Sequence, residues 1–216
     1  YWSEIDEDEI PMQAASSPKR ARDPAESRLL KLDLTQLQKS LKAGASTHIR
    51  LPDPYGGEVE FALKPSSVMP KQLAARYPNI RSFEGVSIHD RSTTVRLELT
   101  SKGLSAQVLS EGGRWVIDPV EGLGPEFVRS YRYSKGYQGK NEPFCELETS
   151  NVLDARDASK NQFTGTVQRG KSTGTSLRTY RLAVATTGEY GAYHGGTVEG
   201  ALSAVVVTIN RVDGIF

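Results

Sequence analysis

Residues 177–216 read LRTYRLAVATTGEYGAYHGGTVEGALSAVVVTINRVDGIF, and the way this stretch folds decides what the rest of the chain must be. Its first part alternates. Tyr180, Leu182, Val184 and Thr186 are separated by Arg181, Ala183 and Ala185, the two-residue period of a sheet strand. Thr197 then stands where a hydroxyl caps a helix, with Glu199 in the first turn, where the helix dipole favours an acid. Val198, Leu202, Val205, Ile209 and Val212 recur at helical spacing, and Gly214 supplies the stop. A helix this apolar is expected to lie against a sheet. Strand, glycine-containing loop, apolar helix and the first residues of a further strand make the opening of an α/β domain.

Immediately upstream, residues 135–176 change character. YSKGYQGKNEPF is turn-rich, and Ser150–Ser176 is polar, with Arg156, Lys160, Arg169 and Lys171 open to trypsin-like enzymes. Further back, residues 28–137 read as a β-rich domain. Leu30, Leu32 and Leu34 alternate as a strand, and Thr35 with Gln38 fits a capping box opening a short helix with Leu37 and Leu41 on one side. Strands follow at 48–51 and 58–63, joined by P-D-P-Y-G-G, then a helix at 70–77 between two prolines. Strands are next expected at 80–88, 94–99, 104–109, 114–117 and 127–133, punctuated by Lys102-Gly103 and Gly112-Gly113. Val95, Leu97 and Leu99 alternate with Arg96 and Glu98, which implies an antiparallel sheet with one wet face. Short strands at this spacing imply a sandwich or partial barrel. The fold class is therefore α+β: a β-rich antiparallel domain with short helices, then the first strand and helix of an α/β domain. Residues 1–27 carry an acidic cluster (Glu4, Asp6, Glu7, Asp8, Glu9), three prolines and Lys19-Arg20-Ala21-Arg22, and read as a flexible tail.

Composition removes some classes of function. Lysine plus arginine number 27 against 26 acids, so no global field favours nucleic acid or an anionic membrane. No apolar run is long enough for a membrane span. One cysteine allows no internal disulfide.

YRLAVATTGEYGAYHGGTVEGALSAVVVTINRVDGIF also resembles the beginning of the catalytic domain of secreted, bacterial reprolysin-like zinc metallopeptidases of the metzincin clan. The resemblance lies in the strand ending A-T-T-G-E-Y, the H-G-G-T-V loop and the helix ending N-R-V-D-G-I-F. Residues 30–137 are similar to the propeptides that precede such domains. The resemblance implies a secreted zymogen whose propeptide shields the cleft and assists folding, with its own catalytic domain as partner and proteins as the mature enzyme's substrates. It implies that 138–176 is an inhibitory segment and cleavable linker, and that zinc is held by three histidines beyond these residues with a glutamate as general base. The zinc motif H-E-x-x-H-x-x-G-x-x-H is absent, and His48, His89 and His194 are far apart, so this chain is expected to be inactive alone.

Cys145, in N-E-P-F-C-E-L-E, stands where such a propeptide crosses the cleft. A thiolate is a good zinc ligand, and occupying the fourth position of a catalytic zinc displaces the water it activates. A tether holds the thiol at millimolar effective concentration, to order of magnitude, and cutting the linker releases it. The flanking residues differ from the P-K-M-C-G-V of animal cysteine switches. A small buried hydrophobe, or a disulfide partner, is the plainer reading of the same residue. Other features read blandly. Gly195, Gly196 and Gly200 have the wrong spacing for G-x-G-x-x-G, and Ser105 completes no G-x-S-x-G. Arg129, Tyr131, Arg132 and Tyr133 interleave as a strand divides core from solvent. The alternative to a zymogen is a stand-alone β-rich protein- or glycan-binding module; a truncated nucleotide-binding α/β protein comes third.

Overall fold

Period-two alternation runs through the middle of the chain, and in the computed structural model, which describes residues 1–5, 27–41, 47–66, 68–132 and 181–215, it becomes one antiparallel sheet. The strands are β1 (Trp2–Glu4), β2 (Ser27–Leu32), β3 (Thr47–Pro52), β4 (Glu58–Pro65), β5 (Arg81–Ser87), β6 (Thr94–Thr100), β7 (Gly103–Ser110), β8 (Gly113–Pro119) and β9 (Phe127–Arg132). Their order across the sheet is β1-β2-β9-β8-β7-β6-β5-β4-β3. From β3 to β9 every strand pairs with its neighbour in sequence, as hairpins demand, and β2 joins at the far side by pairing with β9. The turn at Gly103 needs glycine twice over: its φ is 115°, and a Cβ there would strike the Pro125 carbonyl.

The sheet curls into a half-barrel, the partial-barrel form of the expected fold. Across the open seam Trp2 Nε1 donates to the Arg50 carbonyl at 2.7 Å, and Ser130 Oγ to the Pro52 carbonyl at 2.8 Å. Arg28 Nη1 reaches the same region, donating to the carbonyls of Asp53 and Gly57 at 2.8 and 3.0 Å. Inward-pointing residues of the strands, among them Leu32, Leu51, Phe61, Leu97, Leu104 and Ile117, form a single buried cluster. Helix α1 (Leu34–Leu41) adds Leu37 and Leu41 to it.

The N-terminus of α1 lies two residues earlier than the capping box implied. Asp33 Oδ1 accepts from the Gln36 N–H at 2.9 Å, so Asp33, not Thr35, supplies the cap. Asp33→Ala is expected to cost about 1 kcal/mol, read as a lower urea midpoint at an unchanged slope. Helix α2 (Lys71–Arg76) follows Pro70, as expected for a proline opening a helix.

The C-terminal residues contain α3 (Gly188–Tyr193) and α4 (Val198–Asp213). Thr197 caps α4 as the sequence implied, its Oγ1 accepting from Gly200 N at 3.0 Å. Two other readings need correction. Residues 181–187 form no strand, and Leu182 and Val184 are 66% and 51% exposed. Alternation makes a strand only where another strand offers hydrogen-bond partners, and none pairs with them among the described residues. The start of the expected flexible tail is ordered: Trp2–Glu4 pairs with β2, and Glu4 Oε1 accepts from Arg28 Nε at 2.8 Å. By contacts the chain divides into a unit of Tyr1–Tyr137 with Ala185–Phe216 and a unit of Gln138–Val184. Among the described residues no helix is long and apolar enough to cross a membrane.

Candidate functional site

On β5, β6 and β7 the side chains at the middle of the face that points away from the half-barrel's interior are polar, with Val86 and Leu109 at its margin. Register sets Glu98 opposite both Ser82 and Ser105, and Arg96 opposite both Glu84 and Gln107. An outer face of this composition is expected to be wet. It is covered instead. Glu98 is 0% exposed, and Ser82, Ser105 and Gln107 are buried with it.

The cover is α4, which packs on β5 and β6. Its buried residues are Gly200, Ser203, Val206 and Asn210, three or four apart and therefore on one face. The Val198–Val212 stripe is not the face that meets this sheet. Val198 and Val212 are exposed, at 72% and 43%, and Leu202, Val205 and Ile209 are only partly buried. A polar sheet face selects the polar, small-residue side of the helix, because buried polar groups must find partners. Gly200 is required for the entry to the helix: a Cβ there would collide with the His194 carbonyl.

Asn210 is the centre of the contact. Its Nδ2 donates to Glu98 Oε1 and, at 3.5 Å, to the Phe83 carbonyl, while its Oδ1 accepts from Ser66 Oγ at 3.2 Å. Beside it Arg211 Nη2 pairs with Asp118 Oδ1 at 2.5 Å, and Tyr131 donates to Asp118 Oδ2 at 2.9 Å. The sheet also caps the end of the helix. Gln107 Nε2 donates to the Arg211 carbonyl at 3.1 Å and Arg96 Nη2 to the Asp213 carbonyl at 3.3 Å, two groups that helix geometry leaves without partners. Arg96 is itself held by Glu84 at 2.6 Å and Asp213 at 3.2 Å.

Burial dominates the electrostatics. It pushes the Glu98 carboxyl up to about 8, against the Asn210 hydrogen bond and the Arg211 charge, which pull it down. Glu98 is therefore mostly protonated at neutral pH. Its Oε2 has no hydrogen-bond partner, and neither does Ser82 Oγ on the residue directly across the strand pair. For Arg211, burial works to lower the guanidinium, but the Asp118 charge and hydrogen bond outweigh it and the net shift is upward. Asp118 thus neutralises a cation, while Glu98 is kept neutral by its surroundings.

The residues singled out from sequence fall elsewhere. Cys145, Arg156, Lys160, Arg169 and Lys171 lie outside the described residues. His48 is on the edge strand β3, 3.6 Å from Glu60, and His89 sits in the turn after β5 with its N–H given to Ser87 Oγ. His194 ends α3, its Nδ1 3.2 Å from Lys102 Nζ and its ring against Tyr190 and Tyr193. Burial and the Lys102 charge lower its pKa. The structure brings none of the three histidines together, and no group of three His, Cys, Asp or Glu able to hold a metal occurs among the described residues. Ser105 lies under α4, and Arg129 and Tyr131 on the outer face, Tyr131 engaged with Asp118. An open cleft of about 310 Å³ lies by the seam, lined by Tyr1, Trp2, His48, Arg50 and Glu60 among others.

Glu98, Asn210 and Arg211 escaped the reading from sequence. The available signal was a carboxylate flanked by neutral Ser82 and Ser105 across its neighbouring strands, but it shows only once the register is known. Compared with known protein families, curated proteins and solved structures, the chain matches none.

Proposed function

We propose that this chain is the propeptide and the start of the catalytic domain of a secreted zinc metalloendopeptidase precursor, with the half-barrel keeping the protease latent and assisting its folding. One observation supports this reading above the others. The half-barrel covers the polar side of α4 and fully buries no member of the apolar stripe: Val198 and Val212 are exposed, and Leu202, Val205 and Ile209 are partly buried. A helix apolar on one face and latched by polar contacts on the other suits a helix shared between two bodies: a protease core on the apolar side and a removable cover on the polar side. Arg181–Val184, in the strand that the family resemblance assigns to the protease, are exposed and pair with no strand among the described residues, as a strand awaiting the rest of its sheet would be. As the resemblance implies, the reading assigns the zinc ligands to the remainder of the precursor and gives this chain only the capping thiol of Cys145. Release follows cuts in 150–176, where Arg156, Lys160, Arg169 and Lys171 lie.

The test is zinc content, intact mass and proteolytic activity of the full-length secreted product, wild type against Cys145→Ala. A latent wild type with one zinc per chain and an active or self-degrading variant is the expected result. Equal latency of the two would remove Cys145 from the inhibition and leave it to the half-barrel. Absence of both zinc and activity after linker cleavage would replace the protease reading with that of a binding module.

A further inference from the structure

The core of the half-barrel is complete without α4. Its buried cluster draws every member from the strands and α1, and the only buried hydrophobic residue α4 supplies, Val206, lies outside it. The contact is instead made of Asn210, Arg211 and the capped carbonyls. Beneath it lies a carboxylic acid with one oxygen unpartnered and no exposure. A surface that buries an acid under a separate helix has a reason to let that helix go.

We propose that the outer face of β5–β8 is a reversible docking surface for α4, recognising it through Asn210 and Arg211 and releasing it, with the half-barrel intact, when Glu98 ionises. The partner it fits is a helix with small residues in its first half and an Asn-Arg pair one turn from its end. The charges acting on Glu98 are Arg211 from α4, Asp118 from β8 and Arg96 from β6; Glu84 of β5 and Asp213 of α4 hold Arg96, and Tyr131 of β9 is bonded to Asp118. Arg211 is committed to Asp118, and Arg96 to Glu84 and Asp213, so neither cation is left over to neutralise an ionised Glu98. With α4 docked, the Glu98 carboxyl titrates near 8; released to water it returns to the ordinary carboxylate range. A raised value favours the docked state fully in acid, and that advantage is lost progressively until pH passes about 8. Docking is therefore tightest at low pH.

This deepens the propeptide reading by giving the cover a release signal, and relies on that reading only to name what is released. The experiment is hydrogen exchange on the full chain from pH 6 to pH 9, corrected for intrinsic rates, comparing wild type with Glu98→Gln, a neutral side chain of the same shape. Wild-type α4 amides are expected to lose about a hundredfold in protection over that range while β6 and β7 hold theirs, and Glu98→Gln is expected to be flat and better protected at pH 9. Equal pH slopes in the two proteins would overturn the proposal. So would loss of protection in α4 and the strands together, because the helix would then not be separable. No protease activity is read, so this outcome is independent of whether the precursor holds zinc.

Discussion

Replacing Asp118 by alanine loosens α4 by about 2–3 kcal/mol and leaves the half-barrel folded; this is the expected result of stranding Arg211. Removing one member of a fully buried pair costs about 3–5 kcal/mol, chiefly because the surviving charge has nowhere to go. Arg211 and Asp118 are each roughly a quarter exposed, so water recovers part of that cost. Arg211 Nε already lacks a partner, which leaves the guanidinium little to fall back on. The measurement is exchange protection of α4 relative to β6 in a cycle with Arg211→Met. An apolar side chain has no charge to strand, so Arg211→Met combined with Asp118→Ala should regain most of the loss. A double variant as loose as Asp118→Ala alone would show that the ion pair is not what holds the helix.

Phe61→Ala produces the contrasting failure. Phe61 is 0% exposed and belongs to the single cluster shared by strands and α1. Truncating a buried phenylalanine costs about 3–5 kcal/mol in lost transfer energy and residual cavity. The urea midpoint should fall accordingly, and every strand should lose exchange protection together with α4. The two variants separate the latch from the body: one frees a helix, the other melts its platform. Selective loss in β4 alone would show the cluster to be less cooperative than its packing implies.

The sheet was largely legible before the structure. Val95, Leu97 and Leu99 point inward as their alternation said, and Lys102-Gly103 and Gly112-Gly113 mark turns. What alternation cannot say is whether the other side is wet. Glu98 looked like a solvent residue and is buried, because the helix that covers it arrives from over 100 residues away. The same limit applied to α4. Periodicity identified which face is apolar, but which face docks was decided by the polarity of the surface it meets. For Tyr180–Thr186 the pattern was right for a strand and no partner strand is present to make one among the described residues. Trp2–Glu4 erred the other way: three residues are too few to show a period, and the neighbouring acids argued for a solvated arm. The Asp33 cap was missed because a serviceable Thr35 stood close by. Of the site, Thr197 and the helix were readable, whereas the Glu98–Asn210 pairing rests on register.

The strand order carries a consequence for how the chain is made. From β3 onward each strand finds its partner next in sequence, so that part of the sheet can zip as it emerges from the ribosome. Strand β2 is the exception: Ser27 pairs with Tyr131, about 100 residues later. Leu30 and Leu32, both destined for the core, are synthesised early and must wait for the last strand of the meander. Closure of the half-barrel is thus the late step of its birth, and an interruption of synthesis before Arg132 leaves an open sheet with an apolar strand looking for any free edge.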